Sequence, residues 1–98
     1  MIAKTHKKDE KILVAVCDDK LLGKKFEEGN LQLDLTTDFY NGERLSAQEV
    51  GDLVRNADCV NLVGEEAVKL GLEEGVIEEK HIIKINGIPH AQATIIHE

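Results

Sequence analysis

Tryptophan is missing from this chain, proline occurs once, and Phe and Tyr together supply only 3% of its residues. Aliphatic side chains must therefore fill the core, and little is left on which nucleic-acid bases would stack. Long apolar runs are missing too. The longest, Ile12 to Cys17, falls far short of the roughly 20 residues that a membrane-spanning helix requires. No apolar stretch follows the N-terminal lysines before Asp9-Glu10, so a secretory signal is not read there and a cytoplasmic location is expected, away from membranes. No repeat, low-complexity tract or Pro/Ser-rich linker interrupts the sequence, so its 98 residues are read as a single domain with one modest core.

Cysteine is scarce as well. Cys17 and Cys59 each lie in an apolar, strand-like run at a spacing that fits no zinc module, which reads as two reduced core thiols. No metal and no cofactor is expected. The net charge of −7 argues against a dedicated nucleic-acid binder, but the charge is unevenly spread: residues 1–25 carry a net +3, residues 26–79 a net −11 and residues 80–98 a net +1. Lys4, Lys7, Lys8, Lys11, Lys24, Lys25 and Lys84 are candidates to gather at one end of a sheet, where RNA contact would be weak, electrostatic and sensitive to salt.

What is present is a clear alternation of elements. Ile2 to His6 and Lys11 to Cys17 read as strands, the second apolar on both parities and so expected inside the sheet. Asp18 or Asp19 is expected to cap a short helical segment carrying Leu21, Leu22 and Phe26, stopped at Gly29. Leu31 to Tyr40 alternates as a half-buried strand, Leu31, Leu33, Leu35 and Phe39 inward and Tyr40 outward. Ser46-Ala47-Gln48-Glu49 has the spacing of a capping box and predicts a helix from Ala47 to about Ala57, with Ala47, Val50, Leu53, Val54 and Ala57 buried. Asp58 to Val63 follows as a strand, Gly64 to Gly75 as a helix, and His81 to Ile85 as a strand that would complete a βαβ crossover.

The C-terminal segment is the most specific. Asn86-Gly87 tolerates positive φ at both positions and predicts a type I′ hairpin turn. That register sets Ile85 against Ile88, Lys84 against Pro89, Ile83 against His90 and His81 against Gln92, so that both histidines and Gln92 share one face with Ile83, Ile85 and Ile88. Proline donates no hydrogen bond, and the strand after Pro89 is expected to be an edge at that point.

The candidate binding residues are accordingly His90, Gln92, His81, Asn86, Lys24 and Lys84. His90 is the leading one, a histidine fixed beside a turn and suited to acid, base or ligand roles; a half-buried structural histidine is the alternative. His81 lies diagonally close to it, but no third metal ligand follows at short spacing. If the protein is an enzyme, His90, Cys17 and Asp18 are the catalytic candidates, with Asn61 as a neighbour. The carboxylates that follow Cys17 favour its neutral thiol, and Asp18 suits a helix cap better than catalysis. The turn at Val63-Gly64 precedes a helix as phosphate-binding turns do, yet Glu65 and Glu66 already satisfy the helix dipole.

The segments Leu13 to Lys24, Phe39 to Glu43, Ala57 to Glu65 and Gly87 to Gln92, taken together, resemble a family of small archaeal proteins known as domain of unknown function 424. The resemblance implies an archaeal cytoplasmic protein with a compact α/β domain, and it transfers no activity, cofactor or functional residue. The sequence is thus read as mixed α/β (α+β): one compact domain, a small mixed sheet of about five or six strands, two main helices and a C-terminal β-hairpin. The preferred function is a non-enzymatic binding or adaptor module for a protein or ribonucleoprotein partner, using the Gly87 to Gln92 turn and nearby basic residues. A small enzyme or metabolite-binding protein built on His90 is the alternative, and the oligomeric state is left open.

Overall fold

The computed structural model describes residues 1–96. Its sheet strands are β1 (Ile2–Lys8), β2 (Lys11–Cys17), β5 (Glu43–Arg44), β6 (Cys59–Val63), β7 (Ile82–Ile85) and β8 (Ile88–Thr94); a separate hairpin joins β3 (Lys25–Glu28) to β4 (Leu31–Asp34). The six strands lie in the order β5-β1-β2-β6-β8-β7. β2 is interior, as its two-sided apolar pattern requires: Val14 and Val16 enter one core while Ala15 and Cys17 enter another, all four fully buried.

The first core lies under two helices, α1 (Ala47–Arg55) and α2 (Glu65–Glu73). Val50 and Val54 of α1 and Ala67, Val68 and Leu70 of α2 pack there against Val14, Val16, Val60 and Leu62. The expected capping box opens α1, with Ser46 Oγ accepting from the Glu49 amide and the Glu49 carboxylate accepting from the Ser46 amide. On the opposite face of the sheet, the β3–β4 hairpin and the segment that follows it bring Leu33, Leu35 and Tyr40 onto Ile2, Ala15, Cys17, Val63 and Ile85.

The β7–β8 hairpin has the register read from the sequence: Ile85 faces Ile88, Lys84 faces Pro89 and Ile83 faces His90. Asn86 and Gly87 both sit at positive φ, 52° and 80°, the backbone a type I′ turn demands. His81 lies just outside the strand, in a single 3-10 turn.

Several expectations are corrected. β8 is not an edge: it lies between β6 and β7, and Pro89 is accommodated because it stands where the β6 ladder ends, its carbonyl accepting from the Gly64 amide at 2.9 Å. The crossover from β6 through α2 does connect parallel strands, but β8 is inserted between them. The segment after Asp18 makes only a 3-10 turn, Asp19–Leu21, and Phe26 belongs to β3. The strand starting at Leu31 stops at Asp34, whose carboxylate accepts from the Thr36 amide and hydroxyl. That turn shifts the alternation beyond it, so Tyr40 is buried, while Leu31, opposite Glu28 at the tip of the β3–β4 hairpin, is exposed. α1 ends at Arg55, and Ala47 in its first turn is exposed.

Candidate functional site

Register partners in a sheet project to the same side. Read across the ladders, His6 and Lys8 of β1, Lys11 and Leu13 of β2, Cys59 and Asn61 of β6, His90 and Gln92 of β8, and Ile83 of β7 all face away from the helices. The β3–β4 hairpin and the segment after it cover only part of this face. The remainder is an open groove that starts at Lys8 and Lys11, passes Phe39, Leu13 and Cys59, crosses Asn61, Gln92 and Thr94, and ends at His81, Ile83 and His90.

A buried polar chain anchors it. The Tyr40 hydroxyl donates to Asn61 Oδ1, and His90 Nε2–H donates to the same oxygen at 3.2 Å. An amide oxygen is an acceptor only, so this geometry assigns the imidazole proton to Nε2 and leaves Nδ1 a bare acceptor, buried and without a partner. Burial pulls the His90 pKa below its ordinary 6.5, which keeps the ring neutral near pH 7. Burial, and then the nearby Cys17, push the Tyr40 phenol well above its usual range, so it remains a donor. With both lone pairs of Asn61 Oδ1 occupied, the Nδ2 amide is the part of that side chain left for the groove it lines.

Two further histidines complete the face. His81 Nδ1 accepts from the Glu78 amide at 2.8 Å, which leaves Nε2 available to the groove. The His6 ring stacks on Phe39 with centroids 4.7 Å apart, and His6 Nε2–H donates to the Phe39 carbonyl at 2.9 Å. Three of the four histidines thus share one surface; His97 lies outside the described residues.

The structure brings His81, His90 and Gln92 together and separates the rest of the candidate set. Lys84 stands opposite Pro89, and strand alternation turns its side chain to the other face of the sheet from Ile83. Asn86 is at the hairpin tip, its amide donating to Glu28 Oε1 at 2.8 Å. Lys24 lies beyond the 3-10 turn, its amide bonded to the Leu21 carbonyl. The candidate lysines do not all gather at one end: Lys7, Lys8 and Lys11 flank the β1–β2 turn, while Lys84 is at the opposite end of the strands, about six residues or roughly 20 Å away.

Cys17 and His90 project to the same face at the same level of the sheet, but Val63 stands between them. Cys17 and His90 therefore form no pair. The Cys17 thiol is fully buried and pushed up to about 11, chiefly by that burial and then by Asp18 and Asp19. Cys59, expected in the core, is half-buried at the groove. Asp18 is indeed a cap, but of α2 and not of the adjacent turn: its two carboxylate oxygens accept from the amides of Glu66 and Ala67 at 3.1 and 2.9 Å. Those amides are thereby taken, and the Gly64 turn offers no empty phosphate cradle. Among the described residues no group of three metal-ligating side chains is assembled, and no helix is long and apolar enough to cross a membrane.

Tyr40, Phe39 and His6 were not legible as site residues. Tyr40 was placed outward by extending the alternation through Thr36 and Thr37, and the signal that would have corrected it is Asp34-Leu35-Thr36, an Asp two residues before a Thr that can close a turn on it. His6 lies on a register set by the Asp9-Glu10 turn, which carries no glycine to announce its positive φ.

The model of a family described as a protein of unknown function, DUF424, matches residues 5–96. A crystal structure of an uncharacterized conserved protein from Methanopyrus kandleri has the same fold, with a TM-score of 0.80 and 23% identity over 99% of this chain and 92% of that one. Among curated proteins nothing matches.

Proposed function

We propose, from the premise that the chain belongs to the DUF424 family of proteins of unknown function, that it is a non-enzymatic binding or adaptor module whose recognition surface is the groove on the helix-free face of the sheet. The observation that carries this reading is the groove's form: an open surface whose side chains are fixed by sheet register and by the Tyr40–Asn61–His90 chain. Rigid side chains on a regular element bind without the cost of ordering them. A catalytic role for His90 has less support. Its Nε2–H is committed to Asn61, its Nδ1 is buried, and the expected nucleophile, Cys17, is sealed in the second core.

The partner is a protein or a ribonucleoprotein. Affinity capture from cells that make the protein naturally, with half of each sample treated with nuclease, tests the reading against two variants. Ile83→Glu places a charge on the groove, and Glu66→Lys places one on the helix side. The reading expects Ile83→Glu to lose the captured partner and Glu66→Lys to retain it. Equal capture by all three proteins, or loss confined to Glu66→Lys, contradicts it.

A further inference from the structure

Resting on that reading, we infer that the groove takes a short stretch of single-stranded nucleic acid laid across β2, β6, β8 and β7. Charge is the first argument. The chain carries 19 Asp and Glu, yet among the described residues the side chains lining the groove include only one, Asp9 at the turn. The acids of the helices, Glu49, Asp52, Glu65, Glu66 and Glu73, lie on the other side of the sheet. Lys8 and Lys11 stand at the head of the groove, exposed and without an ion pair among the described residues. Their range is set by the Debye length, about 8 Å at physiological salt, so phosphates seated beside them are shielded from the distant acids.

Hydrogen bonding points the same way. Asn61 has spent its acceptor on Tyr40 and His90 and retains its amide donors, and His81 holds Nε2 toward the groove. Gln92 is exposed between them. Donors of this kind match the oxygen-rich edges of bases, sugars and phosphates. Ring faces supply the third argument. Phe39, backed by the stacked His6, lies near the lysine end and the imidazoles of His81 and His90 at the other. Histidine is a stacking partner as well as a donor, so the scarcity of Phe, Tyr and Trp is partly offset by gathering three histidines on one face. Three strand spacings across the sheet, roughly 14 Å, and about four residues along it, roughly 13 Å, separate Lys11 from His81, about 20 Å in all, room for about three unstacked bases. An acidic peptide fits less well. An extended peptide that adds a strand gains most of its affinity from unpaired main-chain groups at a sheet edge, and the groove runs across paired strands.

Fluorescence anisotropy with a random-sequence RNA of about ten nucleotides, the same sequences as single-stranded DNA, and a duplex RNA tests the inference on the full chain. The single strands should bind and the duplex should not, and the RNA-to-DNA ratio reports whether the 2′-hydroxyl is read. With two phosphates neutralised, affinity should fall about sevenfold between about 50 and 200 mM salt. The K8S/K11S double variant should lose most of that salt dependence, and Gln92→Glu, which adds a carboxylate at an exposed position, should weaken binding about fivefold. Absence of single-strand binding, displacement of RNA by oligoglutamate at equal charge, or affinities unchanged in both variants overturns the inference. The two readings fail separately: capture of a nuclease-resistant protein that Ile83→Glu abolishes, without oligonucleotide binding, keeps the binding module and removes the nucleic acid.

Discussion

Asn61 and His90 are diagonal neighbours on the β6–β8 ladder, joined by a 3.2 Å bond from the imidazole Nε2–H to the amide oxygen that also accepts from Tyr40. Replacing Asn61 by Leu strands two donors in a dry site, at about 1–3 kcal/mol each. Tyr40→Phe removes one donor and leaves the other satisfied, at about 1 kcal/mol. Urea denaturation should therefore rank Asn61→Leu as the more harmful by about 1–5 kcal/mol. Equal losses would show that the oxygen is not shared.

The same bond sets a pH dependence. The folded-state pKa of His90 is depressed below 6.5 by burial, so the unfolded chain binds the proton more tightly. Stability is full above pH 6.5 and is lost as the pH falls from there through the depressed folded value. Asp19, Asp34 and Glu49 are also lowered, from 3.8, 3.8 and 4.5, and act below this window. His6 and His81 face the same groove and are common to wild type and to His90→Gln. The difference between the two proteins, measured by urea denaturation at steps from neutral to mildly acidic pH, should show wild type losing stability that His90→Gln does not. Parallel profiles would place His90 in solvent.

The Asp18 carboxylate occupies the space beside Gly64, where an added β-carbon would lie 2.3 Å from Asp18 Cγ, and Gly64 itself has φ of 108°. Asp18→Ala should cost about 1–2 kcal/mol through loss of the α2 cap. Gly64→Ala should also destabilise, through the strained φ and the contact. In the double variant the contact is gone, so its loss should fall short of the sum of the two single losses by about 1 kcal/mol or more. Strict additivity would separate the glycine from the cap.

Thiol labelling discriminates the cysteines. Cys17 is sealed, with its pKa pushed up to about 11, whereas Cys59 is half-buried at the groove. Iodoacetamide should modify Cys59 in the native protein and reach Cys17 only after unfolding. Rapid native labelling of Cys17 would restore it as a candidate nucleophile.

The parts of the fold legible in the sequence were those that local chemistry determines. Asn86-Gly87 determines its own turn and with it the pairing of Ile83 with His90, Ser46 and Glu49 determine the start of α1, and the two-sided apolar run Lys11–Cys17 requires an interior strand. What escaped depends on partners distant in the chain. Asp18 looked like a local cap because the amides it binds, Glu66 and Ala67, come from an element many residues later. Pro89 looked like an edge marker because nothing local says where β6 ends. Tyr40 was lost to a side-chain turn at Asp34 that reset the alternation. Of the candidate site, His81, His90 and Gln92 were legible because one turn aligns them, while Phe39, His6 and Tyr40 reach the same face only through the tertiary fold.

The central claim is that the helix-free groove is where this protein meets its partner, and position-specific photo-cross-linking tests it most directly. A photoreactive amino acid placed at Gln92 in the groove, and separately at Glu66 on the helix side, is activated in an extract of cells that make the protein naturally. The account predicts a discrete cross-linked product from position 92 and none from position 66. A product from position 66 alone, or none that depends on position, would contradict it.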